Sequence, residues 1–258
     1  MRTTLRQRLR LQPLSLGLAA CVMRSPEIVT VTRSCGFDCL LIDTEHGPIG
    51  IGDAASLCVT AFEAGLPALV RVGGPTHPDL ARVLDCGAEG VVVPHVETAE
   101  EARLIVEKCR FQPVGRRSLP SPLARLGFRV PPAAEMMRRI EEETLVVLMI
   151  ESARGVANAE AIAAVPGVDV LMVGANDLAA DMGHVGAVDH PEVLAAFAAI
   201  ARAAHAHGKV FSVIGVAEAL LPSHAHGLGA KLIIATNDIN LLIDGGLATV
   251  ARLSAPDA

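Results

Sequence analysis

In Leu148-Met149-Ile150-Glu151-Ser152, and again in Val173-Gly174-Ala175-Asn176-Asp177-Leu178, an aliphatic run ends at a carboxylate. Glu151 and Asp177 are 26 residues apart, and a helix-like stretch separates them. In a parallel βαβ unit, the ends of neighbouring strands lie side by side on one face of the sheet. We therefore expect the two carboxylates to face each other across one site. An open, oxygen-rich site with no nearby His or Cys ligand is typical of Mg²⁺ or Mn²⁺ rather than of structural zinc.

The composition around these stretches favours one large α/β domain that spans residues 1–258. Hydrophobic residues make up 51% of the chain, and the mean hydropathy is +0.44. No apolar run approaches the roughly 20 residues of a membrane helix, so we expect no membrane partner. Buried parallel strands and an oligomer interface account better for the apolar excess. A net charge of −6, with no Trp and no Tyr, makes nucleic acid an unexpected partner.

The six cysteines all lie in the first half of the chain. Neither their spacing nor a nearby His supplies the four ligands that a structural zinc site needs. We expect reduced, buried thiols in a cytoplasmic protein. The N-terminal region offers an alternative, because Leu18-Ala19-Ala20-Cys21 follows basic residues and has the form of a lipoprotein cleavage box. The apolar stretch is short and interrupted by glycine, however. The pattern therefore favours a first β-strand at Leu16–Cys21 over a signal sequence for export.

Eight short apolar runs, most of them followed by a helical stretch, run through the chain, which is the count of a single (β/α)8 TIM barrel. A doubly wound open sheet is the alternative, but it normally carries a Gly-rich phosphate loop, and the sequence has neither GxGxxG nor GxxxxGK[ST]. Residues Ala124–Glu143 interrupt the period and are expected to form a loop and an extra helix over the barrel mouth. The eight runs are Leu16–Ala20, Cys39–Asp43, Ala68–Val72, Gly90–Pro94, Leu145–Ile150, Val170–Val173, Val210–Ile214 and Leu232–Ala235.

The ends of the predicted strands carry more polar chemistry than a fold requires. Barrel enzymes keep their catalytic groups at the carboxyl ends of the strands. Taken singly, His46 could cap a turn, Arg71 could serve a structural ion pair and Asp177 could cap a helix. Their occurrence at successive strand ends favours a shared site. The polar residues at these ends are Asp43, Glu45, His46, Arg71, His95, Glu151, Asn176 and Asp177.

The chain has only three lysines, and none is placed for covalent catalysis. Lys209 and Lys231 start predicted strands, at the opposite end of the barrel, and Lys108 ends a predicted helix. A Schiff-base mechanism, as in metal-free aldolases, therefore has no candidate residue. Carbanion chemistry at this site would need a metal ion as its electron sink.

Taken in order, these motifs resemble the HpcH/HpaI aldolase/citrate lyase family, the metal-dependent (class II) pyruvate aldolases, over nearly the whole chain. The resemblance implies a (β/α)8 barrel, a homo-oligomer (hexamer or trimer), and residues 232–258 that carry the last strand and a C-terminal helix exchanged between subunits. The matching motifs are Asp43-x-Glu45-His46-x-Pro48, Leu69-Val70-Arg71-Val72, Leu84-Asp85-x-Gly87-Ala88, Val92-Val93-Pro94, Ile150-Glu151, Gly174-x-x-Asp177-Leu178 with Met182-Gly183, and His190-Pro191-Glu192-Val193.

The same resemblance implies an activity and a role for each residue. The activity is reversible cleavage of a 4-hydroxy-2-oxo acid into an aldehyde and pyruvate, as in 4-hydroxy-2-oxoheptanedioate aldolase, through a metal-stabilised pyruvate enolate. Glu151 and Asp177 would hold Mg²⁺, Mn²⁺ or Co²⁺. Arg71 would hydrogen-bond the keto oxygen and stabilise the enolate. His46, oriented by Asp85, would move protons. The residues implied to line the pyruvate pocket, besides Arg71, are Gly174, Ala175, Asn176 and Asp177.

Three departures from the family pattern stand in or near these motifs. Met149 replaces a common Gln, Ala175-Asn176 replaces Pro-Ala, and His95 follows Pro94 where many members have an apolar residue. The region that shapes aldehyde selection also differs after Arg125. A further hypothesis is that arginines in this region bind an anionic substrate tail. These arginines are Arg116, Arg117, Arg125 and Arg129.

Alternatives to the aldolase prediction remain at this point. An oxaloacetate decarboxylase, or another lyase or synthase acting on carbon–carbon bonds, would form the same enolate on the same scaffold. A catalytically silent barrel that acts as a binding module is the alternative outside enzymes. Failure to bind Mg²⁺ or Mn²⁺ would favour that last alternative.

Overall fold

The fold is a closed barrel of eight parallel strands, each paired with the next in chain order and the last paired with the first. A computed structural model describes residues 3–120 and 123–254 of the chain. It confirms the single (β/α)8 barrel and rules out the doubly wound sheet. The strands are β1 (Ser15–Ala20), β2 (Cys39–Asp43), β3 (Ala68–Arg71), β4 (Gly90–Val93), β5 (Leu145–Ile150), β6 (Val170–Gly174), β7 (Val210–Ile214) and β8 (Leu232–Asn237).

Helices follow the strands and cover the outside of the barrel. Strands β2, β5 and β7 have the predicted bounds, and each of the other five differs by no more than two residues at either end. The helices are α1 (Leu5–Leu11), α2 (Glu27–Ser34), α3 (Ile51–Glu63), α4 (Arg82–Asp85), α5 (Ala99–Cys109), α6 (Ala133–Glu143), α7 (Ala153–Ala157), α8 (Ala159–Ala163), α9 (Ala175–Asp181), α10 (Pro191–Ala206), α11 (Leu221–His224) and α12 (Asp238–Ser254).

The apolar residues form two main layers, as expected for parallel strands buried on both faces. The outer layer lies between strands and helices, and the inner layer fills the barrel with side chains such as Leu41, Leu69 and Met149. Helix α1, which the sequence pattern did not predict, adds Leu5 and Leu9 to the inner layer. Strand β1 pairs with both β2 and β8, so the predicted first strand closes the barrel.

The insertion between β4 and β5 lies at the opposite end from the one that was predicted. It contains a short 3-10 helix (Ala124–Leu126) and α6, as expected for a loop and an extra helix. Arg125, however, donates to the carbonyl of Ala88 and lies within 3.4 Å of the Thr144 hydroxyl, and these residues precede β4 and β5. The 3-10 helix is therefore at the amino end of the barrel. The prediction that this loop and helix lie over the mouth of the barrel was wrong. Helix α5 runs back from the carboxyl end, so the chain that follows it is already at the amino end.

Helix α12 presents much of its apolar surface to solvent in the single chain. Only Asp238 is buried among its residues. None of the helices in the described ranges combines the length and the hydropathy needed to cross a bilayer. The exposed apolar side chains of α12 are Leu241, Leu242, Ile243, Leu247, Val250 and Leu253.

Candidate functional site

A cavity of about 500 Å³ opens at the carboxyl end of the barrel, where the sequence placed the site. Residues from the ends of β1, β3, β5, β6, β7 and β8 line it. Met149 replaces the common family Gln within this lining, so an apolar thioether takes the place of an amide. The predicted site residues in the lining are His46, Arg71, Gly174, Ala175, Asn176 and Asp177.

Arg71 is fixed by a bidentate ion pair with Asp43. The two residues are in register across β2 and β3. Arg71 Nε donates to Asp43 Oδ1 at 2.9 Å and Nη2 to Oδ2 at 2.6 Å. Burial lowers the pKa of Arg71, but the hydrogen bond and charge of Asp43, with the charge of Glu45, outweigh it and raise the pKa. Arg71 therefore stays charged, and its Nη1 makes no hydrogen bond to any residue in the described ranges.

Glu151 is a buried carboxylate directly after β5. Its side chain is 3% exposed, and its Oε1 accepts a hydrogen bond from the backbone N–H of His95 at 2.7 Å. A Cβ built on Gly174 would overlap Glu151 Oε2, so any side chain at this position would displace this oxygen. Burial raises the pKa of Glu151 against the opposing hydrogen bond from His95, and the charges of Asp177 and Glu45 raise it further. The carboxylate is thus placed where a cation would stabilise its charge.

Asp177 lies in the first turn of α9, which begins immediately after β6. It lines the cavity and is exposed, and its charge acts on Glu151. Glu151 is not itself part of the cavity lining but lies against Gly174, which is, so the structure brings the two predicted metal ligands to the same rim. This arrangement follows from the register of β5 and β6, which pairs Ile150 with Val173.

His46 and Asp85, which were predicted to act together, make different contacts within the chain. His46 has a side chain 64% exposed, and its Nε2 is 3.6 Å from Glu45 Oε2. Asp85 Oδ1 accepts a hydrogen bond from Arg117 at 2.7 Å. Asp85 is not among the cavity residues, and no contact joins it to His46 within residues 3–120 and 123–254. The nearest carboxylate to His46 is that of Glu45.

The arginines proposed to bind an anionic substrate tail do not line the cavity in the single chain. The side chains of Arg117 and Arg125 are each 1% exposed and pair with Asp85 and Glu143. Arg116 is exposed and lies 3.4 Å from Glu107. Arg116 therefore fits the alternative of solvated loop charge, and Arg117 and Arg125 act as structural ion-pair partners within the chain.

Three residues at the site had been noted at strand ends without a role. Asp43 orients Arg71, while Glu45 and His95 form a chain that reaches Glu151. His95 Nε2 is 2.9 Å from Glu45 Oε1, and its Nδ1 is 2.8 Å from Glu151 Oε1. Asp43 could have been found from the strand register, because it ends β2 opposite Arg71. Nothing in the local sequence indicates the contacts of His95.

A second group of possible metal ligands lies apart from this cavity. Ligand atoms of His184, His190 and Glu192 lie within 4.8 Å of one another, between α9 and the first turn of α10. Each already has a structural contact: His184 Nε2 is 2.9 Å from Glu192 Oε2, and His190 Nδ1 accepts the backbone N–H of Glu192. None of the three lines the cavity. They must therefore be controlled for in any metal titration.

The chain is similar to known aldolases along nearly its full length. It is 38% identical to a 4-hydroxy-4-methyl-2-oxoglutarate aldolase of Hapsidospora irregularis, over 93% of this chain and 90% of that protein. It is 37% identical to a hydroxypyruvate/pyruvate aldolase of Chromohalobacter salexigens, over 86% of this chain and 87% of that protein.

A solved structure and a family model agree with these relatives. The crystal structure of an HpcH/HpaI aldolase from Desulfitobacterium hafniense superposes with a TM-score of 0.91 and 28% identity, over 98% of each chain. The model of the HpcH/HpaI aldolase/citrate lyase family matches residues 22–241. This chain therefore belongs to the HpcH/HpaI aldolase/citrate lyase family.

Proposed function

We propose that this carbon–carbon lyase is a divalent-metal-dependent aldolase that reversibly cleaves a 4-hydroxy-2-oxo acid into pyruvate and an aldehyde. The observation that carries the proposal is the buried Glu151 carboxylate, which the charge of Asp177 reaches and which lies against Gly174 at the edge of a cavity lined by Asp177 and Arg71. The aldolase names of the relatives from Hapsidospora irregularis and Chromohalobacter salexigens support the reaction class. Small-molecule keto acid and aldehyde are the partners that such a cavity fits.

The residues present fit a divalent cation. Glu151 and Asp177 would hold it, and Mg²⁺, Mn²⁺ and Co²⁺ all suit a site of carboxylate oxygens completed by water and substrate. The absence of a side chain at Gly174 leaves space for one Glu151 oxygen next to the cavity lining. When bound, the ion supplies Lewis-acid polarisation of the keto oxygen.

Arg71 is the residue proposed to stabilise charge on the keto oxygen. Asp43 holds the guanidinium by two of its nitrogens, and Nη1 remains for the substrate. A donor that is already oriented loses little reorganisation energy when negative charge develops on the oxygen. Gly174, Ala175, Asn176 and Asp177 line the same cavity, which supports the proposal that this segment binds the pyruvate carboxylate.

His46 is proposed to take the proton from the 4-hydroxyl, since it lines the cavity and has an exposed ring that can reach substrate. Carbon–carbon cleavage then releases the aldehyde, and protonation of the enolate carbon gives pyruvate. Within one chain Glu45 is the carboxylate near His46. The role of Asp85 stays a prediction, because its carboxylate is bonded to Arg117.

A homo-oligomer, as hexamer or trimer with α12 exchanged between subunits, is the proposed assembly. The row of exposed leucine, isoleucine and valine side chains on α12 supports it, because a second copy of the chain would bury this surface. We expect Leu247→Asp/Val250→Asp to lower the mass measured by light scattering. Val185→Asp, at an exposed residue between α9 and α10, is the matched control. A monomeric unmodified protein would contradict the proposed assembly.

A cytoplasmic location is proposed with it, and the six free cysteines support a reducing compartment.

The reaction is tested by release of pyruvate from a panel of 4-hydroxy-2-oxo acids, measured with coupled lactate dehydrogenase. Protein stripped of metal is compared with protein given Mg²⁺, Mn²⁺ or Co²⁺. We expect release only with an ion and from at least one member of the panel. Oxaloacetate is assayed beside the panel, and release from oxaloacetate alone would favour the decarboxylase alternative. No release from any substrate would contradict the proposed function.

A further inference from the structure

His95 has an uncommon backbone conformation at the rim of the barrel, two residues after β4. Its φ is 57°, and Phe128 is the only other non-glycine residue with a positive φ in the described ranges. This left-handed conformation is uncommon for residues with a Cβ, and it persists only where surrounding contacts favour it. Contacts between His95 and its neighbours must therefore stabilise this conformation.

Two groups of His95 lie against the same oxygen of Glu151. The backbone N–H donates to Oε1 at 2.7 Å, and ring Nδ1 lies 2.8 Å from that oxygen. In this conformation the backbone N–H and the ring of His95 both face Glu151 Oε1. The other carboxylate oxygen, Oε2, lies beside Gly174, which lines the cavity. His95 thus fixes one oxygen of Glu151 and leaves the other toward the proposed ion.

The far edge of the ring is held by Glu45. Nε2 of His95 is 2.9 Å from Glu45 Oε1, and the Glu45 side chain is only 9% exposed. Glu45 Oε2 is 3.4 Å from Arg71 Nε. A continuous chain of contacts therefore runs from Glu151 through His95 and Glu45 to Arg71. A ring held at both edges keeps its orientation although half of its surface is exposed.

We infer that His95 is a positioning residue that orients Glu151 for the divalent cation by bracing it against Glu45. The inference rests on the proposed function. His95 itself does not line the cavity, and both ring nitrogens are occupied by carboxylates, so it acts through Glu151. Partners that orient a metal ligand change metal affinity about 10–100-fold when they are removed.

The test is Mn²⁺ binding to substrate-free protein, followed by the EPR signal of free Mn²⁺. His95→Gly tolerates the positive φ and keeps the backbone N–H but removes both ring contacts. We expect its Kd for Mn²⁺ to rise about 10–100-fold. His95→Asn keeps a donor near Glu151 and also tolerates the left-handed region, but it cannot reach Glu45. We expect a smaller rise in its Kd for Mn²⁺, about tenfold. If His95→Gly does not fold, the Kd of His95→Asn tests the role of His95.

His184→Gly is the matched control, because His184 also pairs with a glutamate at 2.9 Å and belongs to the second group of possible ligands. If Mn²⁺ also binds at this second group, two Kd values are measured. We expect His184→Gly to leave the lower of the two, that of the Glu151 site, unchanged. A wild-type Kd in both His95 variants, with binding lost in Glu151→Ala, would overturn the role of His95 and keep the metal site. A wild-type Kd in Glu151→Ala would overturn the proposed metal site itself. The thermal unfolding midpoint is followed in parallel, since a purely structural role would shift the midpoint and leave the Kd unchanged.

Discussion

The two ends of the barrel both carry buried charge, but they balance it differently. At the amino end, arginines are matched by acids: Arg125 pairs with Glu143, and Arg8 with Asp38. Arg6 and Arg110 both pair with Asp169, and Arg110 also pairs with Glu141. At the carboxyl end, Arg71 is the one buried arginine in the described ranges, and it lies among four carboxylates that are buried or half-buried except for Asp177. These are Asp43, Glu45, Glu151 and Asp177.

The two ends of the barrel therefore have different roles. Buried ion pairs that are complete within the chain stabilise or orient the structure and need no ligand. An excess of carboxylate in a partly buried site is unfavourable until a cation joins it, which the raised pKa of Glu151 reflects. We therefore expect changes at the carboxyl end to affect chemistry and changes at the amino end to affect stability.

The largest expected effect is at Glu151. Glu151→Ala should abolish metal-dependent turnover while leaving the circular dichroism spectrum and the unfolding midpoint close to wild type, because the change removes a proposed metal ligand and also a buried charge. Turnover is measured as pyruvate release with added Mn²⁺. Full activity of this variant in metal-stripped buffer would contradict the site.

Arg71→Met should lower turnover on the order of 10²–10³-fold, the usual value of a donor aimed at a developing oxyanion. The reason is that Nη1 is the nitrogen left free by the ion pair with Asp43. The value of kcat is measured at saturating concentrations of the metal ion and of the substrate from which pyruvate is released. A change confined to KM would contradict this role, because it would show that Arg71 binds the ground state and the transition state equally.

Arg125→Met is the matched change at the amino end. It removes the hydrogen bonds that Arg125 donates to the carbonyl of Ala88 and to the Glu143 carboxylate. We expect a loss of about 1–3 kcal/mol in the free energy of unfolding, measured in urea. The activity of the folded fraction should stay at the wild-type level. A large fall in its kcat would contradict the expectation that changes at the amino end affect stability and not chemistry.

The smallest expected effect concerns the thiol of Cys21, which lines the cavity. Burial raises its pKa to about 12, and the charges of Asp43 and Asp238 add to the rise. A raised thiol pKa means less thiolate at neutral pH, so labelling by a thiol reagent should be slow. It should speed up about tenfold per pH unit between pH 7 and 9. Peptide mapping should find the exposed Cys35 labelled first, and equal rates at pH 7 would contradict this environment.

Much of the fold could be predicted, because it depends on patterns that are local in the sequence. Uninterrupted aliphatic runs such as Leu145–Ile150 mark buried parallel strands, and their number and spacing give the barrel. The prediction of buried thiols was partly wrong, since Cys35 is exposed. Helix α1 was missed because its first turn follows a short polar segment and its two apolar contacts, Leu5 and Leu9, are too few to mark a period.

The candidate site was predictable only as far as strand ends determine it. The register of the strands places Arg71, Glu151 and Asp177 on one rim. Contacts between loops that follow different strands depend on turns and side-chain rotamers. The left-handed turn at His95 and the pairing of Asp85 with Arg117 are therefore visible only in three dimensions. For the same reason the sequence could not show that the arginines after Pro113 lie outside the cavity.

The most direct test of the central claim, that the carboxylate excess at the carboxyl end binds a metal ion for enolate chemistry, is hydrogen–deuterium exchange at the methyl group of pyruvate. The exchange is followed by NMR in D₂O with Mg²⁺, Mn²⁺ or Co²⁺ and needs no knowledge of the aldehyde. We expect exchange that requires the ion and disappears in Glu151→Ala. Exchange that persists in Glu151→Ala, or no exchange by the wild-type protein with any of the three ions, would contradict the claim.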